Sequence, residues 1–77
     1  MSALERARAM LAEAVGRPPA SLPDDATIET VDAWDSIAHV HLILALEGCL
    51  GRALSSEAIA GLDSLADIAA LLDEGGA

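Results

Sequence analysis

Apolar residues recur at helical intervals in separate stretches of this chain, and what lies between them is too broken for paired strands. Leu4, Ala7, Leu11, Ala14 and Val15 fall three and four residues apart, on one face of a helix. Ser2 precedes them with Glu5 three residues on, the spacing of a capping box, and a first helix is predicted over residues 3–15. Gly16 is placed to end it, and Pro18-Pro19 prevent its resumption. A second helix is predicted over residues 36–50, interrupted only by Gly48 and stopped by Gly51; Asp35 or Ser36 can cap its start. Ser55 or Ser56 then opens a short helix through Ile59, closed by Gly61. The last helix begins at Ser64, with Asp67 three residues on and Leu65, Ile68, Ala69 and Leu72 as its buried stripe. Residues 74–77 read as a frayed end.

Residues 16–34, "GRPPASLPDDATIETVDAW", hold all three prolines and read as a loop. Unstructured loops longer than about 12–15 residues are uncommon in compact domains and are often functional. Leu22, Ile28, Val31 and Trp34 are spaced to pin this one onto a core, which makes it an ordered strap. The expected fold class is all-α, a four-helix bundle with three longer helices, a short third helix and a long first loop, in one domain of residues 1–77.

The second helix has an unusual distribution of apolar residues. At about 100° per residue, His39, Leu42, Ile43, Leu46 and Leu50 form a core stripe, while Ile37, Val40, His41 and Leu44 lie opposite. A surface helix normally turns charge to water there. With too few other elements to cover both sides, an exposed apolar strip is expected, and such strips mark docking surfaces. Ser36 stands at the tip of the same helix, where free backbone N–H groups and the helix dipole favour a phosphate. Capping alone also explains an Asp-Ser at a helix start; it is the neighbouring strip and loop that add a functional reading. Asp63-Ser64-Leu65 repeats the tripeptide nearly letter for letter but lacks that neighbourhood, so Ser64 reads as a cap.

Composition narrows the partners. Among 77 residues, 13 acids face four basic residues, none of them lysine, for a formal net charge of −9. Nucleic acid and anionic membrane are poor partners for such a surface, and basic protein surfaces are suitable ones. The one cysteine, Cys49, excludes an internal disulfide, and no His/Cys clustering suggests zinc. "MSALERARAM" places charge where a signal peptide needs its apolar stretch, and no apolar run approaches spanning length. A soluble, cytoplasmic monomer is expected.

"DSIAHVHLILALE", followed by "SSEAIAGL" and "SLADIAALL", resembles the acyl carrier proteins, whose attachment motif is Asp-Ser-Leu at the start of the second of four helices. The similarity covers nearly the whole chain in order and spacing. It implies that Ser36 receives 4′-phosphopantetheine covalently from coenzyme A, through a magnesium-using phosphopantetheinyl transferase, and that the arm's thiol carries an acyl group as a thioester. By the same matching, Asp35 lies at the transferase contact. Ile37, Val40, His41, Leu44 and Glu47 face acyl-loading, synthase or acyltransferase enzymes with basic docking surfaces, while Leu46, Leu50, Ile59 and Ile68 line the interior where acyl chains shelter. Carriers of this family are not catalysts.

The chain also departs from the family pattern. Ile37 replaces the usual Leu, Trp34 sits where small residues are common, His39 and His41 occupy positions often neutral or acidic, and "EGCLG" replaces an acid-rich helix end. The segment looks closer to free-standing carriers of specialised pathways, such as polyketide-type or modified-sugar assembly, than to the housekeeping fatty-acid system. Peptidyl carriers, the alternative cargo class, show a glycine pair where this chain has Ala33-Trp34. An alternative from another class is an unmodified helical adaptor that uses the same strip only to bind a protein.

Other residues read more plainly. His39 is a core histidine with a backbone partner or, on the functional reading, a contact for polar cargo. His41 lies on a different face, which argues against shared metal ligation. Cys49 reads as a small packing residue with no neighbouring cation to activate it. Asp24, Asp25, Glu29 and Asp32 match no calcium-loop spacing and read as solvated charge. Because so much negative charge surrounds a thin core, added salt or divalent cation is expected to raise the melting temperature; calorimetry across a salt series checks this.

Overall fold

In the structure, a computed structural model that describes residues 2–75, α1 (Ala3–Val15) is followed by α2 (Ser36–Leu50), α3 (Ser56–Ala60) and α4 (Leu65–Gly75). A 3-10 turn at Pro19–Ser21 lies in the long connection, where the sequence predicts only loop. The first two helices end where their caps predict. The third runs one residue further than expected, and the fourth takes Ser64 as its cap. The frayed end expected at residues 74–77 is helical as far as Gly75, and its last two residues lie outside the described residues.

Local chemistry accounts for the boundaries. Ser2 Oγ accepts the Glu5 N–H at 3.1 Å and Glu5 Oε1 accepts the Ser2 N–H at 3.4 Å, completing the capping box. The Ser2 backbone and hydroxyl hydrogen bonds hold the Glu5 carboxyl below its usual range. Gly16 and Gly51 end α1 and α2 with φ of 70° and 71°, a left-handed geometry that a side chain would strain.

Packing centres on α1, which lies chiefly against α4 and then α2. Ala7 and Leu11 of α1 meet Ala38, Leu42 and Leu46 of α2 and Leu65, Ile68 and Leu72 of α4 in the core. The buried line of α2 is rotated from the expected stripe. Ala38 takes the place expected for His39, which is half-buried like Ile43 and Leu50. Ala38 packs in the core, while the larger His39 ring reaches Trp34 of the connection and Ile59 of α3.

Residues 16–34 form the expected strap, with one exchange among its pins. Leu22 and Trp34 are buried and Val31 is half-buried, but Ile28 is 37% exposed and Ala26 is buried instead. Arg8 of α1 fastens the first half, its Nε donating to the Leu22 carbonyl at 3.1 Å and its guanidinium pairing with Asp24. Further on, the Ile28 N–H donates to the Asp63 carbonyl at 2.8 Å and the Leu65 N–H to the Ala26 carbonyl at 2.9 Å. This antiparallel bridge joins Thr27 to Ser64, and there is no strand among the described residues.

The bridge sets Asp63 beside Asp67. A hydrogen bond to the Asp67 carboxyl, with burial and the Asp67 and Glu29 charges, raises Asp63 above its usual range. Burial pushes Asp67 up, but hydrogen bonds from Asp63 and Ser64 outweigh it and hold Asp67 low. Of the two carboxyls, Asp63 therefore keeps its proton to higher pH and Asp67 gives its proton up first. A raised native pKa contributes stability at low pH that is lost as pH rises through it, so at pH 7 the pair is left as two like charges. Asp63→Asn replaces the titrating carboxyl with a permanent N–H donor. It is expected to raise the melting temperature at pH 7, with the gain shrinking as pH falls into the carboxylate range; thermal melts at several pH values measure this.

Candidate functional site

The strap delivers Asp35 to the start of α2 in extended conformation, at φ −97° and ψ −172°. Its Oδ1 accepts the Ala38 N–H at 2.9 Å, and its carbonyl accepts the His39 N–H at 2.9 Å, the first turn of the helix. Asp35 is therefore the cap, a choice the sequence leaves open. Ser36 becomes the first helical residue, with an exposed side chain. Ser2, Ser55 and Ser64 each accept an N–H three residues on at 3.1 Å. At α2 a carboxylate does that work, and the Ser36 hydroxyl is not needed for it. The Ser36 and Ile37 amides, in the first turn, have no intrahelical acceptor and point their N–H groups toward anything bound there.

Beyond Ser36, Ile37 is 68% exposed, Val40 53% and Leu44 60%, forming an aliphatic strip along α2. The helix is apolar all round, yet only one side meets the core, and the strip is the remainder. His41 is exposed at its edge, bordering a depression against α1 lined by Met10, Glu13, Ala14 and Ala45. Glu47 is half-buried, and its Oε2 accepts the Leu54 N–H at 2.8 Å, bracing the α2–α3 connection. Of the residues expected to line the interior, Leu46 and Ile68 are fully buried, and Leu50 and Ile59 are half-buried against them.

On the other side of Ser36 the structure joins residues that the sequence analysis treated separately. Trp34 Nε1 donates to His39 Nδ1 at 3.1 Å, and His39 Nε2 lies 3.3 Å from the Ile59 carbonyl. Because Nδ1 accepts, the ring proton sits on Nε2 and is donated to Ile59. His39 is thus the internally bonded histidine of the plainer reading, with no ring nitrogen left for cargo. One ring ties the strap to α2 and α2 to the end of α3. The i, i+5 spacing of Trp34 and His39 across a helix start gave no periodic signal of this contact. Ile28, Trp34, Asp35, Ser36 and His39 line a shallow, open depression of about 380 Å³.

Cys49 differs from expectation. It is exposed rather than packed, and the Arg6 guanidinium donates to its sulfur at 3.2 Å, so a cation is adjacent after all. Arg6 lies 43 positions away in the chain, and only the packing of α1 on α2 brings the two together.

A helical bundle that offers an uncommitted serine at a helix start, beside an apolar strip, is the arrangement of a carrier domain. Residues 5–72 match the family described as the phosphopantetheine attachment site, and the chain belongs to that family. Its domains carry 4′-phosphopantetheine covalently, typically on a serine, and are non-catalytic carriers. No curated protein and no solved structure matches the chain. The residues fit the group: an exposed hydroxyl, amides without helical acceptors and an adjoining depression stand together at Ser36. Among the described residues no helix is long and apolar enough to cross a membrane.

His39→Leu removes both ring hydrogen bonds and strands the buried Trp34 N–H. A loss of about 1–3 kcal/mol in unfolding free energy is expected. Combining it with Trp34→Phe is expected to cost less than the sum of the two, as measured by urea denaturation of the double-mutant cycle.

Proposed function

We propose that residues 1–77 form a single acyl carrier domain in which Ser36 takes the phosphopantetheine arm and the arm's thiol carries an acyl group as a thioester. In the transfer, Ser36 Oγ attacks the pantetheine-side phosphorus of coenzyme A. A serine oxygen–phosphorus bond forms, the pyrophosphate bond breaks, 3′,5′-ADP leaves, and the transferase takes the serine proton. Magnesium held by the transferase offsets charge on the phosphates.

The observation that carries this reading is the capping arrangement: Asp35 holds the helix start, which leaves the Ser36 hydroxyl exposed, whereas Ser64 is spent on Asp67. Asp35 lies beside the attachment point and is the transferase contact. Ile37, Val40, His41, Leu44 and Glu47 form the face met by loading, synthase or acyltransferase enzymes, whose basic surfaces are steered by the net charge of −9. The domain works as a cytoplasmic monomer. An acyl cargo is favoured over an aminoacyl one because buried Trp34, with Ala33, stands in place of the glycine pair of peptidyl carriers. The family match favours a carrier over an unmodified adaptor.

Incubation with coenzyme A and a broad-specificity phosphopantetheinyl transferase is expected to add one phosphopantetheine by intact mass. The addition is expected to vanish in Ser36→Ala and persist in Ser64→Ala. No addition with several transferases would leave the adaptor reading in its place.

A further inference from the structure

The helix starts are braced by different means. At α1 the Glu5 carboxylate accepts the Ser2 N–H, and at α4 the Asp67 carboxylate accepts the Asp63 N–H at 3.4 Å. α2 has no acid in its first turn, where a carboxylate would oppose the phosphodiester that Ser36 is to carry. Two rings take over the bracing. Trp34 immediately precedes the cap and His39 is the fourth residue of the helix. Side chains at these two positions, when apolar, meet as a hydrophobic staple and fix the angle at which the chain enters the helix. Here the staple is polar: Trp34 Nε1 donates to His39 Nδ1 at 3.1 Å, with ring centroids 6.1 Å apart. The His39 N–H is donated to the Asp35 carbonyl at 2.9 Å, so residue 39 grips both residues that precede Ser36, one through its ring and one through its backbone. The segment from Trp34 to His39 is thereby closed on itself around the serine. Trp34 is buried and acts on Ser36 only through this frame.

We infer that His39 is a positioning residue for phosphopantetheine loading: its Nδ1, as acceptor for the Trp34 indole, fixes the entry of the strap into α2 and with it the direction of the Ser36 hydroxyl. The inference rests on attachment at Ser36. The bond from Nε2 to the Ile59 carbonyl braces α3 and plays no part in loading. Without the acceptor, the indole N–H turns to other partners, the end of the strap leaves its entry angle, and only a fraction of molecules presents the serine as the transferase meets it. A partner that recognises one conformation then binds with an apparent constant raised by the inverse of that fraction, while the step after docking is unaltered.

The two ring nitrogens can be tested separately. His39→Asn sets an amide oxygen where Nδ1 stands and keeps the bond from Trp34, whereas His39→Gln sets an amide nitrogen where Nε2 stands and keeps only the bond to Ile59. Loading of the full-length protein by a broad-specificity phosphopantetheinyl transferase is measured with the carrier as the varied substrate, at a temperature where circular dichroism shows each variant folded. His39→Gln and Trp34→Phe are each expected to raise KM for the carrier about tenfold with kcat unchanged, while His39→Asn stays within about twofold of the unsubstituted protein. Leu72→Val, which loosens the core on α4, controls for stability and is expected to leave KM unchanged. Hydrogen exchange of the unloaded protein gives a readout independent of the enzyme: the Ala38 and His39 amides are expected to exchange faster in His39→Gln and Trp34→Phe but not in His39→Asn, with α1 amides unaffected. The same KM in all variants, or an equal rise in His39→Asn and His39→Gln, would overturn the positioning role and leave loading at Ser36 in place. Absence of loading in the unsubstituted protein would instead overturn the attachment reading and the positioning role together.

Discussion

The connection between α1 and α2 must be laid flat over a core of aliphatic side chains, and the backbone pairing of Ala26 and Ile28 with Leu65 and Asp63 holds its middle in place. Ordering each residue of such a segment costs about 1–2 kcal/mol of backbone entropy, so a few well-placed anchors must offset a large term. Arg8 fixes the stretch before the bridge and the Trp34 indole fixes the stretch after it. Only a strap held at all three points brings Asp35 to α2 in the extended geometry a cap requires. The position of Ser36 is thus decided by contacts far from it.

The same bridge explains how two nearly identical tripeptides come to do different work. In Asp35-Ser36-Ile37 the aspartate caps and the serine is the first helical residue, whereas in Asp63-Ser64-Leu65 the serine caps and the aspartate lies outside the helix. Asp63 gives its carbonyl to Ile28 and is held in extended pairing, which pushes the helix start one residue later. A shift of one position converts an exposed hydroxyl into a structural one. Chemistry written in the same letters is separated by register.

The parts of this architecture that rest on neighbouring residues were legible in the sequence. The Ser2–Glu5 box, the stops at Gly16 and Gly51, and the apolar strip of Ile37, Val40 and Leu44 all follow from local spacing. What depends on chain-distant partners was not. No pattern pairs Ala26 with Leu65 or Arg6 with Cys49, and helical spacing places His39 in the core because it does not register the Trp34 and Ile59 partners that hold the ring half-buried. The Asp35-Ser36-Ile37 motif could be found by its resemblance, but the depression beside it could not. Ile28 reads as a core residue until the bridge fixes its backbone and leaves its side chain at the surface.

The aliphatic strip on α2 has a colloidal consequence. Three large apolar side chains on so small a surface favour contact between copies of the domain, and an excess of nine negative charges opposes it. Repulsion of this kind acts between like molecules and vanishes toward a basic partner. Between copies of the domain the strip and the charge therefore act in opposite directions, and toward a basic surface they act in the same one. Acid that neutralises the carboxylates, or concentrated salt that screens them, removes that repulsion and leaves the exposed strip as a route to self-association.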